Sequence, residues 1–105
     1  MPLTKDFKET VRERLQREPE FRTALLRAAI ECLMSGDVDT GKAILRDYIN
    51  GTIGFQELSD RTHTPAKSLM RMFGPNGNPQ ARNLFDVIAQ LQRAEGLHLE
   101  VSLKR

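Results

Sequence analysis

Cysteine occurs once in the 105 residues, so no intramolecular disulfide can brace the fold. That residue, Cys32, stands in the apolar run ALLRAAIECLM, where a reduced thiol packs as a small hydrophobe rather than acting as a nucleophile. The two histidines, His63 and His98, fall in different segments, and no cluster of Cys or His has metal-ligand spacing. The segment GPNGNP, residues 74–79, lacks the Lys-Ser/Thr pair and the flanking strand of a phosphate loop. Asp37 and Asp39 fit helix caps better than a catalytic dyad. An enzyme is therefore not expected, and no metal or other cofactor is implied. No apolar run approaches the roughly 20 residues of a membrane-spanning helix, and MPLTKDFKET is charged within its first five residues. Neither a signal peptide nor a membrane segment is expected, and the protein is expected to be soluble and cytoplasmic.

What is present is a single domain's worth of helix-forming sequence. With 39% apolar residues over this length, the chain can bury one core and not two. Balanced charge, 16 basic against 14 acidic side chains, argues against a disordered tail protein. Residues 4–18 form a first helix, capped by Thr4, with Phe7, Val11 and Leu15 in a narrow stripe amid charged neighbours. A solvated, ion-paired face, a basic arm and a partner-binding helix all fit that pattern. From Pro19 the residues Phe21, Leu25, Leu26, Ala29, Ile30, Leu33 and Met34 make a wide apolar face ending at Ser35-Gly36. Asp37 and Asp39 cap a further helix through Ile44, Leu45, Tyr48 and Ile49 that closes at Asn50-Gly51. A later helix, with Asn78 as cap and Pro79 as its first residue, carries Leu84, Phe85, Val87, Ile88 and Leu91 inward and ends near Gly96.

Between these lies FQELSDRTHTPAKSLMRMF, residues 55–73, which reads as two short helices and a turn. Phe55 and Leu58 share one face, Thr64 is a suitable cap and Pro65 a suitable first residue for the second helix. In that second helix Leu69, Met72 and Phe73 lie on one side and Ala66, Lys67, Met70 and Arg71 on another. Residues 61–83 hold Arg61, Lys67, Arg71 and Arg82 and no acid. Such a window suits insertion into a DNA major groove, and on charge alone it suits a solvated basic surface equally well.

The ending LHLEVSLKR changes period: Leu97, Leu99, Val101 and Leu103 alternate with polar residues, the rhythm of a half-buried strand. A lone strand leaves its backbone unpaired. Pairing with the same strand of a second molecule about a two-fold axis resolves this, and such a homodimer favours a palindromic DNA site. A helical continuation and a disordered tail are the alternatives. The expected fold is thus mainly α: a helical core over 21–95 preceded by the helix of residues 1–20 and followed by a strand over 97–103, with five to six helices in all.

From Ala24 onward the chain resembles the HigA-like antidote proteins of bacterial toxin–antitoxin addiction modules, a branch of the Xre/Cro helix-turn-helix superfamily. The resemblance is carried by ALLRAAIECLMSGDVDTGKAILRDYI, by FQELSDRTHTPAKSLMRMFGPNGNPQARNLFDVIAQL with its S-L-x-R and G-N-P elements, and by the LHLEV ending. It implies a lambda-repressor-like fold and a nucleoid-associated dimer that represses its own operon and neutralises a protein toxin. A stand-alone regulator without a toxin is the alternative, and an interaction module that has lost DNA binding a third. Mapped onto this sequence, Ala66, Lys67, Met70 and Arg71 would face base edges, the cations suiting guanine and the apolar groups the thymine methyl. Gln56, Ser68, Asn78, Gln80 and Arg82 would touch phosphates of double-stranded DNA. His63 and Thr64 depart from the small and apolar residues usual in that turn, which leaves the contact register open to a shift of one residue.

Overall fold

The computed structural model describes residues 5–105 and contains six helices: α1 Lys5–Arg17, α2 Pro19–Met34, α3 Val38–Gly51, α4 Phe55–Thr62, α5 Ala66–Met72 and α6 Ala81–Glu95. The cap expected at Thr4 lies outside the described residues. The mainly α reading holds. Among the described residues no strand forms, so the stretch 97–103 has no ladder within the chain. The physical reason is that the chain offers no second strand to pair with it.

Local rules account for most boundaries. Glu18 precedes Pro19 at the start of α2, and Asp37 caps α3 by accepting the Thr40 amide at 3.4 Å. Asp39 does not share that role; it sits in the first turn of α3, with its carboxylate 3.9 Å from the Lys42 ammonium. Gly36 and Gly96, both left-handed, end α2 and α6 where the sequence places the stops. Two starts move. α5 begins at Ala66 because Pro65 takes ψ 139° and serves as the cap, one residue later than expected. α6 begins at Ala81, with Gln80 rather than Asn78 at its cap, because residues 77–80 run without helical bonding after the turn.

The core is built from Leu15, Leu26, Ala29, Leu45, Tyr48, Ile49, Phe55, Leu58, Leu69, Phe73, Val87 and Leu91. α2 packs along α3, and α1 lies across α3 with its stripe graded: Leu15 fully buried, Val11 half-buried, Phe7 largely out. Gly51 makes that crossing possible, since a Cβ there would stand 2.4 Å from Leu15 Cδ1. Two residues assigned to inward faces are turned outward. Phe85 is 65% exposed and Met34 68% exposed. The inward set of α6, Leu84, Val87, Ile88 and Leu91, follows the i, i+3, i+4, i+7 pattern, and Phe85 falls one position off it.

A partly buried polar cluster joins the ends of the helices. Arg22 of α2 donates from Nε to both Glu95 oxygens at 2.8 and 3.0 Å and from Nη1 to the Leu15 carbonyl at 2.8 Å, while the Tyr48 hydroxyl donates to Glu95 Oε1 at 3.2 Å. Four helices are thereby tied at one point. Burial, and then the negative charge of Glu95, push the Tyr48 phenol well above its ordinary range, and the bond to Glu95 raises Arg22.

Candidate nucleic-acid interface

The two-helix unit begins at Gly54, whose φ of 79° turns the chain out of α3 and into α4. Phe55 and Leu58 face the core, and α4 stops when His63 adopts the left-handed conformation, φ 59° and ψ 28°, its amide donating to the Ser59 carbonyl at 2.9 Å. Left-handed backbone is uncommon outside glycine, although histidine is among the side chains that tolerate it. His63 is the sole described non-glycine residue with positive φ. Thr64 and Pro65 complete a three-residue turn. α5 then buries Leu69, with Phe73 just beyond its end, and Phe73 meets the Phe55 ring at 6.4 Å between centroids.

With Leu69 and Phe73 fixed, the opposite side of α5 is determined. Lys67, Met70 and Arg71 are exposed, Met70 to 50%. Ala66 is half-buried against the core and Ser68 is half-buried, so those two sit nearer the packed side than the other three. Of the four cations in the acid-free window, Arg61 is paired with Glu57 of its own helix at 3.1 Å. Lys67, Arg71 and Arg82 have no ion pair among the described residues. Gln56 spends its side-chain amide on Asp60 at 3.4 Å. Asn78, Gln80 and Arg82 are exposed in the turn before α6 and in its first turn.

One residue of this region was not singled out in the sequence. Lys42, on α3, is 4% exposed and donates to the Gly74 and Gly77 carbonyls at 3.2 and 2.6 Å. It clasps the GPNG turn that follows α5. Gly77 is required there by close approach, because a Cβ would fall 2.1 Å from the Arg71 carbonyl oxygen and 2.4 Å from that of Met72. The end of α5, the turn and α3 are thus locked together behind Arg71. No sequence signal announces this role: Lys42 reads as one more solvated cation of its helix, since its partners are backbone atoms 32 and 35 residues away.

No family model, curated protein or solved structure matches the chain. No helix among the described residues is long and apolar enough to cross a membrane.

Proposed function

We propose that this chain is a sequence-specific DNA-binding repressor with a lambda-repressor-like helix-turn-helix, in which α4 positions and α5 reads the major groove. The observation that supports the reading is the outward trio Lys67, Met70 and Arg71 on a short helix whose other side is anchored by Leu69 and Phe73. Free cations with a neighbouring apolar side chain can read guanine edges and a thymine methyl. Ala66, closer to the packed side, reaches at most a methyl at the groove edge. Gln56, on releasing Asp60, and Ser68, Asn78, Gln80 and Arg82 would set its register through phosphates.

The chain acts in this reading as a homodimer on a palindromic operator, paired through Leu97, Leu99, Val101 and Leu103, and resides in the cytoplasm at the nucleoid. By its resemblance to HigA-like antidotes it also neutralises a small protein toxin; no catalytic step and no cofactor belong to it. The test is electrophoretic binding to the DNA upstream of its own gene against random DNA of equal length. Preference for the former, with affinity falling steeply as salt rises, is the expected result. Equal, salt-independent binding, or none, contradicts it.

A further inference from the structure

The C-terminal tail is half used. Leu97 packs on the core and Leu99 is half-buried, while His98 and Glu100 between them are exposed. Burial therefore alternates as in extended backbone, until it ceases: Val101 is 74% and Leu103 96% exposed. The tail and α2 enclose an open groove of about 430 Å³, walled by Ile30 and Met34 on one side and Leu99 and Val101 on the other. Three large apolar side chains, Met34, Val101 and Leu103, thus stand in solvent at this end of the molecule. The Leu99 amide donates to Gln92 Oε1 of the same chain at 2.7 Å. Alternate amides of a strand point to opposite edges, so those of Glu100, Ser102 and Lys104 fall on the edge that is left over.

We infer that the occupant of this edge is the tail of a second copy, paired antiparallel with Ser102 opposite Ser102 on the two-fold axis. Charge selects that register. An antiparallel pair centred on Glu100 sets two carboxylates face to face, which is destabilising. Centring on Ser102 sets each Glu100 against the Lys104 of the other copy, two opposite-charge pairs, and at the same time sets each exposed Val101 against an exposed Leu103. A centre on Val101 would instead spend the apolar pairing on Leu99, which its own chain already half-buries, and would leave Glu100 facing Ser102. Two of the three apolar side chains left in solvent at this end, Val101 and Leu103, are those this register brings together. The inference rests on the homodimer of the proposed function and sharpens it to one pairing.

Single-cysteine variants of the full chain test it, made in a Cys32→Ala background and treated with oxidant or a short bis-maleimide in the absence of DNA. A residue on the two-fold axis meets its own copy, so Ser102→Cys should give covalent dimer at least about tenfold faster than Glu100→Cys or Val101→Cys. Glu100→Lys should weaken dimerisation in sedimentation by about tenfold, and adding Lys104→Glu should restore it. Fastest crosslinking at position 100 or 101, or no recovery in the double variant, overturns the register. An unsubstituted chain that sediments as a monomer at all concentrations overturns the dimer itself, and with it the inference, while leaving DNA binding to be read from the separate electrophoretic assay.

Discussion

Lys42 carries a charge into the interior without a close carboxylate: Asp39, almost wholly exposed, stands 3.9 Å away. What stabilises the ammonium is the pair of carbonyls on the GPNG turn; the Gly77 carbonyl takes its bond from Lys42, while that of Gly74 also accepts from the Gly77 amide at 3.0 Å. Lys42→Met keeps the length and apolar stem and removes both bonds. We expect a loss of about 1 to 3 kcal/mol in urea unfolding; a change below about 0.5 kcal/mol would mean the clasp is idle. Tyr48 gives a second prediction at this scale. Its phenol is raised above the ordinary value of 10.0, by burial first and Glu95 second, so the folded chain keeps a proton that the unfolded chain surrenders. Stability should then be full below about pH 10 and fall as pH rises beyond it, with a slope of at most about 1.4 kcal/mol per unit from this one group. Tyr48→Phe should flatten that alkaline decline in unfolding midpoints measured from about pH 9 to 11. An equally steep decline in the variant would assign it to other groups.

Among the elements, helices were the legible part and their exact first residues were not. Periodicity and the stops at Gly36 and Gly96 place α2, α3 and α6, because burying a stripe is a local statement about spacing. Phe85 was misassigned since its neighbour Leu84 belongs to the stripe and size alone suggests burial. The start of α5 turns on the extended ψ of Pro65, which leaves that residue as the cap, and the start of α6 follows a turn that Lys42 clasps from 32 and 35 residues away, a contact that no window of residues displays. The outward set of α5 was readable for Lys67, Met70 and Arg71, whereas the half-burial of Ala66 depends on how α4 and α5 lean on the core. That arrangement separates two roles. Arg71→Ala should cost about 1 to 3 kcal/mol on operator and little on random DNA, while Arg82→Ala should weaken both alike and shallow the salt slope by about one unit. Identical behaviour of the two variants in paired binding curves would show that α5 does not read bases.

At the scale of the whole molecule, the Cα radius of gyration of 13.3 Å is close to the value of about 13 Å for a single folded domain of this length. The tail beyond Leu99 contributes almost nothing to that domain's burial, which makes it separable from folding. Ser102→Pro removes the amide on the two-fold axis and leaves every described core contact in place. Unfolding stability at low protein concentration should therefore stay within about 0.5 kcal/mol of the unsubstituted chain, while sedimentation shifts to monomer. A two-fold pair of recognition helices engages both halves of a palindrome at once, and a monomer holds only one. Operator affinity should fall at least about tenfold, and a DNA fragment carrying a single half-site should bind the variant and the unsubstituted monomer equally. Val101→Pro is the control for the edge: its amide lies on the side of Leu99, facing its own chain, so it should disturb dimerisation less than Ser102→Pro does. If the order of the two proline variants is reversed, the pairing edge is the opposite one, and the Leu99–Gln92 bond must open when the dimer forms.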